Sequence, residues 1–238
     1  MIVDAHQHFW RLDRGDYGWL EPGLDPLYRD YLPQHLAPQL DACQVRATVL
    51  VQAAPTEAET RYLLDLAAKT DFVAGVVGWV DMEAPGAPRR IADLVAYGNG
   101  NLKGLRPMVQ DIADPRWLLK PTLDPAFEAM IEHDLVFDAL VLPRHLQTLQ
   151  ARLLRHPKLR VVLDHAGKPD IAGMDFSSWA EDVSQLAREL PLLHCKLSGL
   201  LTQADAGAGV DELEPYVAHL FRNFGPQRML WGSDWPVL

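Results

Sequence analysis

The chain has 238 residues, 48% of them hydrophobic, which is enough for one large core and too apolar for a disordered chain. Its formal net charge is −10, from 22 Lys and Arg against 32 Asp and Glu, and this argues against nucleic acid as a partner because phosphate binding needs clustered basic charge. Cys43 and Cys195 lack metal-type spacing, no apolar run reaches membrane-spanning length, and Asp4, His6 and His8 interrupt any leader peptide, so a soluble protein of a reducing, cytoplasmic compartment is expected.

The first predicted element is a short strand, Ile2-Val3-Asp4-Ala5-His6-Gln7-His8. Side chains alternate along a strand, so His6 and His8 point the same way at its end and can grip one ion. A long segment follows, 9–33, carrying Trp10, Tyr17, Trp19, Tyr28 and Tyr31 among Gly, Pro and charged residues. So many rings suggest an ordered flap over a cavity, or a surface loop pinned to the core by its aromatics. Leu36 and Leu40 share one face of a helix over 34–42. The run 47–51 is a strand buried on both sides and ends at Gln52. Thr56-Glu57-Ala58-Glu59 is a capping box that opens a helix with Tyr62, Leu63 and Leu66 inward.

The alternation continues. Residues 72–80 read as a third strand, 89–96 as a helix and 102–106 as a short fourth strand closed by Pro107. Asp124-Pro125 reads as an N-cap followed by Pro at the first helical position. Strand five spans 136–142, and the helix 144–155 turns Leu146, Leu149 and Leu153 inward. Strand six, 159–163, ends in Asp164-His165. Ser178-Trp179-Ala180-Glu181 reads as a second capping box. Strand seven spans 192–197, the helix 211–224 stops at Gly225-Pro226, and Met229-Leu230-Trp231 is an eighth strand ending in Gly232-Ser233-Asp234. Eight hydrophobic strands alternating with helices imply one α/β domain, a closed (β/α)₈ barrel over 1–238. No helix follows the eighth strand, so the outer wall is expected to be open there; a truncated chain, or closure by a partner subunit in a homo-oligomer, could explain it.

In such a barrel the active site lies at the C-terminal ends of the strands, so the polar residues there are the informative ones. They are His6, His8, Gln52, Arg106, His165, Lys196 with Ser198, and Asp234. His6, His8, His165 and Asp234 together could hold one divalent ion, zinc foremost, with water in an open position. Asp234 can take the water's proton and hand it to the leaving oxygen. The alternative is that these groups only hydrogen-bond each other and the substrate, with Asp234 activating water without an ion. Arg106 suits a carboxylate or an oxyanion through its donor fork, or else makes a structural salt bridge. Lys196 could stabilise the same developing charge, or be a solvated surface lysine. Gln52 is a further candidate for substrate contact. Trp10, Trp79 and Trp235 lie near strand ends, where they either stack on a substrate ring or belong to the core. His145 reads as a structural residue in the first turn of its helix.

The motifs Asp4-Ala5-His6-Gln7-His8-Phe9-Trp10, Gly104-Leu105-Arg106-Pro107, Asp164-His165-Ala166-Gly167-Lys168-Pro169, Lys196-Leu197-Ser198-Gly199 and Trp231-Gly232-Ser233-Asp234-Trp235-Pro236 resemble the amidohydrolase superfamily. The closer resemblance is to its metal-dependent-hydrolase branch of lactonases, which act on sugar lactones and on dicarboxylate lactones or pyrones. It implies a distorted barrel and hydrolysis of a cyclic ester such as a fucono- or rhamnono-lactone. It also implies that Asp234 is the base, with His6, His8 and His165 at the site. Two departures stand out. Arg106 occupies the strand-four position where two-metal relatives carry a carboxylated lysine, and strand five ends without a histidine. A bridged metal pair is therefore not expected. The competing readings are a metal-dependent decarboxylase of an aromatic or muconate-type acid, and a catalytically silent barrel that serves as a binding module.

Overall fold

A computed structural model describes residues 1–238. Eight strands form one sheet in chain order: β1 (Ile2–Gln7), β2 (Val45–Val51), β3 (Val73–Gly78), β4 (Leu102–Leu105), β5 (Val136–Ala139), β6 (Arg160–Leu163), β7 (Leu193–Leu197) and β8 (Met229–Trp231). Every neighbouring pair is parallel. Seven helices connect them: α1 (Pro33–Ala42), α2 (Glu57–Ala67), α3 (Ala87–Gly98), α4 (Asp124–Glu132), α5 (Leu146–Arg155), α6 (Phe176–Glu189) and α7 (Val210–Phe224). This is a nearly closed α/β barrel with no helix after β8. Beside β8 the outer wall is a groove lined by Leu201, Leu213, Val217 and Trp231. No helix is long and apolar enough to cross a membrane.

Most β-branched and leucine side chains of β2 to β7 are buried, as a sheet covered by helices requires, whereas β8, with no helix after it, leaves Trp231 exposed. Closure between β8 and β1 is different: it has no regular ladder. Two main-chain bonds beyond β8 replace it, from Asp234 N–H to the His6 carbonyl (2.9 Å) and from His8 N–H to the Trp235 carbonyl (2.8 Å). The buried Asp4 carboxylate completes the seam. It accepts from the His6 N–H (3.0 Å), the Ser233 N–H (2.9 Å) and the Ser233 hydroxyl (2.5 Å). Burial pushes the Asp4 carboxyl up, and these bonds pull against it. At Gly232 a Cβ would meet the His6 Cβ at 2.6 Å, so only glycine lets the two segments approach this closely.

Several expected boundaries shift for identifiable reasons. β3 stops at Gly78 because the Thr60 hydroxyl on α2 takes over the backbone of Trp79, accepting from its N–H (2.8 Å) and donating to its carbonyl (3.0 Å). β5 is only 136–139, since Leu140 turns back onto the Asp138 carbonyl (3.1 Å). Asp124 is not an N-cap: it is the first residue of α4, and its carboxylate is taken by Arg152 and Arg155. Ser178 is not one either. α6 begins at Phe176, whose ring packs on Trp179 and Tyr216 at centroid distances of 5.8 and 5.1 Å. The segment 9–33 is ordered, closed at its neck by paired backbone bonds between Trp10 and Tyr31 (2.9 and 3.0 Å).

The capping box of α2 is half formed. Thr56 accepts from the Glu59 N–H (3.0 Å), but the Glu59 carboxylate does not return to Thr56. It is fully buried and accepts instead from the N–H groups of Ala53 (3.0 and 3.1 Å) and Ala54 (2.7 Å), which follow β2. Burial lifts its pKa from 4.5 to about 7, against the pull of those bonds and of Arg106.

Two outcomes are expected. Asp4→Ala leaves the Ser233 and His6 N–H groups without their acceptor and should lower the unfolding free energy by about 3 kcal/mol in urea titrations; no change would mean the seam is held elsewhere. The folded state keeps the Glu59 proton to a higher pH than the unfolded chain. Stability should therefore decline as pH rises from 4.5 to about 7 and level off above that. The full contribution of this group is roughly 3 kcal/mol, and Glu59→Gln should flatten that part of the stability profile.

Candidate active site

The seam brings the two ends of the chain to one place. His6 and His8 leave β1 on the same side, with their Nε2 atoms 3.0 Å apart. Asp234, just past β8, puts Oδ1 3.5 Å from His6 Nε2 and 3.4 Å from His8 Nε2. His165, just past β6, brings its Nε2 to 4.0 Å from the same oxygen. All four side chains are buried. His165 reaches this position because residue 199 is glycine: a Cβ there would lie 2.4 Å from His165 Nδ1. Its Nδ1 instead meets the Ser198 hydroxyl at 2.9 Å.

The donors fit a single divalent ion. His6, His165 and Asp234 offer ligand atoms within 4.8 Å of one another, and His8 Nε2 abuts two of them. The Val51 carbonyl, 2.8 Å from His8 Nδ1, can only accept, so that nitrogen carries a proton and Nε2 is the atom turned to the centre, able to ligate an ion once it holds no proton of its own. Burial pushes both His6 and His165 toward the neutral form that ligation needs, although Asp164 opposes this. Burial alone would raise Asp234, but the His8 hydrogen bond and the neighbouring imidazoles outweigh it and hold the carboxyl well below its ordinary range. Three imidazoles and one carboxylate are a donor set typical of zinc.

A second group, His6, Asp138 and Asp164, lies deeper in the barrel. It is already neutralised. The Lys196 ammonium is paired with Asp138 and lies 3.4 Å from Asp164 and 3.2 Å from His6 Nδ1. Lys196 is therefore not the solvated surface lysine considered from the sequence; it is a buried, ion-paired cation. Burial and the charge of Asp164 raise Asp138 to about 6, with Lys196 pulling the other way. Asp164 is held well below the ordinary carboxylate range: burial would raise it, but His165, His6 and Lys196 prevail.

Arg106 makes the salt bridge considered from the sequence. Its Nη1 donates to Asp164 Oδ2 (3.0 Å), and its Nη2 donates to the Gln52 carbonyl and to Gln52 Oε1 (3.2 Å). Its Nε–H is buried without a partner. Gln52 Nε2 returns a bond to the Arg106 carbonyl (3.0 Å).

Above these groups opens a cavity of about 460 Å³ lined by His8, Arg106, His165 and Asp234 at its base and by Trp10, Trp19, Lys168 and Gln203 around it. Of the substrate contacts expected from sequence, Trp10 and Arg106 line it. Gln52, Lys196 and Trp235 do not. Gln52 is spent on Arg106, and Trp235 is wedged edge-on between Phe9 (5.9 Å) and Tyr31 (5.1 Å) as a core ring. His145 is structural as expected, its Nδ1 accepting from the Leu142 N–H (3.1 Å). Sequence reasoning missed Asp138, Asp164 and Lys168. Each had a signal: a carboxylate inside the apolar run of β5, and two charges inside the motif that follows β6.

An amidohydrolase family model matches residues 3–238. Over 235 residues the chain is 50% identical to an L-fucono-1,5-lactonase of Burkholderia ambifaria, covering 99% of this chain and 80% of that protein. It is 39% identical over 246 residues to an L-fucono-1,5-lactonase of Burkholderia multivorans, covering 99% and 82%. A crystal structure of a Burkholderia multivorans amidohydrolase with bound zinc is 39% identical and superposes with a TM-score of 0.92, over 100% of this chain and 85% of that one. The chain belongs to the amidohydrolase family.

Proposed function

We propose that this protein hydrolyses a sugar-acid lactone, with L-fucono-1,5-lactone the first substrate to test. The observation that carries the reading is the meeting of Asp234 with His6 and His8 within 3.5 Å at the base of an open cavity. The two L-fucono-1,5-lactonase relatives supply the substrate class.

In this reading the lactone carbonyl sits over the histidine cluster, and Asp234 takes a proton from the attacking water. A divalent ion held by His6, His8, His165 and Asp234 would polarise the carbonyl and acidify that water. The tetrahedral oxyanion develops beside Arg106, whose Nε–H is the one donor of its fork still free. Asp234 then returns its proton to the ring oxygen as the C–O bond breaks, which yields the open hydroxy acid. Lys168, on the cavity wall, is a cation placed to attract the carboxylate formed. The buried Lys196, Asp138 and Asp164 hold the floor and do not touch the substrate.

Asp234→Asn should reduce turnover of L-fucono-1,5-lactone to below about 1% of wild type while leaving the circular dichroism unchanged; retained turnover would remove Asp234 from the base role. Acid release from a panel of lactones, set against carbon dioxide release from aromatic acids, separates the lactonase reading from a decarboxylase. His8→Ala should weaken zinc binding by at least about tenfold, measured by chelator competition without reference to activity. Unchanged zinc affinity would place the ion elsewhere.

A further inference from the structure

A second cavity of about 550 Å³ adjoins the catalytic one on the same face, and both are lined by Trp19, Met108 and Asp111. Its walls come from the flap, from the segments after β3 and β4, and from Trp117. Three indoles line it: Trp19, Trp79 and Trp117. Two of them are locked by their N–H groups, Trp19 to the Ala53 carbonyl (2.8 Å) and Trp117 to Glu83 (2.6 Å). Trp79 is locked through its backbone by Thr60. Trp117 is almost wholly buried, so the exposed ring of Trp19 and the half-buried ring of Trp79 are what the cavity offers a ligand.

Acids are the only charged groups that line this cavity, whereas its neighbour is lined by two cations and two carboxylates. No Lys, Arg or His lines it, whereas Arg106, Lys168 and two histidines line the catalytic cavity. Of its four carboxylates, Asp16 is paired with Arg14 and Glu83 with Lys120. Asp81 and Asp111 form no salt bridge, and both are exposed acceptors. Rigid aromatic faces with a few carboxylate acceptors suit a ring that has apolar C–H faces and hydroxyl edges, which describes a neutral pyranose. A carboxylate would be repelled, and a plain alkyl group would bring no donor to the exposed acids.

Resting on the lactonase reading, we infer that the second cavity is a glycosyl subsite, and that the protein accepts aldonolactones carrying a neutral sugar on a ring hydroxyl. The lactone end lies in the first cavity over Asp234, and the appended sugar lies against Trp79 and Trp19.

The test uses L-fucono-1,5-lactone and its 2-O-, 3-O- and 4-O-β-galactosyl derivatives, made by oxidising the corresponding reducing disaccharides. At least one derivative should be hydrolysed with kcat/KM within about tenfold of the bare lactone. Trp79→Ala should raise KM for that derivative about tenfold and spare the bare lactone, while Trp79→Phe should retain most of the affinity. Rejection of all three derivatives by a protein that hydrolyses the bare lactone would overturn the subsite and leave the lactonase reading intact. Equal effects of Trp79→Ala on both substrates would also overturn it, as would a preference for an amine-bearing substituent over the galactosyl group. Failure to hydrolyse the bare lactone would sink the lactonase reading and the subsite with it.

Discussion

The buried carboxylate of Asp4 is the contact on which the site depends. It joins the first strand to Ser233, one residue before Asp234, across the whole length of the chain. Without a ladder between β8 and β1, the barrel closes through this group and two main-chain bonds. Burying a carboxylate is costly unless hydrogen bonds replace its water, and Asp4 has three. The same contact fixes where His6 and Asp234 stand relative to each other, so folding and assembly of the histidine–aspartate cluster are one event.

Beneath that group the barrel interior is polar rather than packed with aliphatics. Asp138, Asp164 and Asp234 face Arg106 and Lys196, all of them buried. Two cations against three carboxylates leave one negative charge, which stands among the three imidazoles. Lys196 occupies the place between Asp138, Asp164 and His6, so the deeper group has its cation built into the chain. A buried pair of this kind adds little net stability, but removing one partner strands a charge. Its consequence here is positional: Lys196 stands 3.2 Å from His6 Nδ1, on the edge of the ring opposite the Nε2 that faces Asp234.

Most of the architecture was legible because hydrophobic runs report burial directly, and eight of them alternating with amphipathic stretches allow few folds. The converging strand ends were legible for the same reason. What the pattern did not carry was partnership. Glu59 has the spacing of a capping box, but its carboxylate serves Ala53 and Ala54, because the loop after β2 offers two N–H groups closer than its own helix start. Gln52, Lys196 and Trp235 sit at the right strand ends and yet face other side chains rather than the cavity. Asp138 was hidden inside an apolar run, where the need for a cation on another strand cannot be seen in linear order.

The backbone around the site is strained in a way that fits this account. His165, Ala166, Gly167 and Lys168 all have positive φ (48°, 56°, 69° and 51°), and Asp234 has φ of 58°. For the non-glycine residues each left-handed conformation costs on the order of 1 kcal/mol, so the segment after β6 would not hold this shape alone. Its surroundings impose it. The Trp179 indole on α6 donates to the Ala166 carbonyl (2.8 Å), and the Lys168 N–H closes onto the His165 carbonyl (2.8 Å). Asp234 is held by its own N–H to the His6 carbonyl (2.9 Å). Relaxing either segment to an ordinary conformation would turn His165 or Asp234 away from the cluster. Strain has therefore collected at the two residues that arrive from outside β1, and the outer helix and the seam supply the energy that keeps them aimed inward.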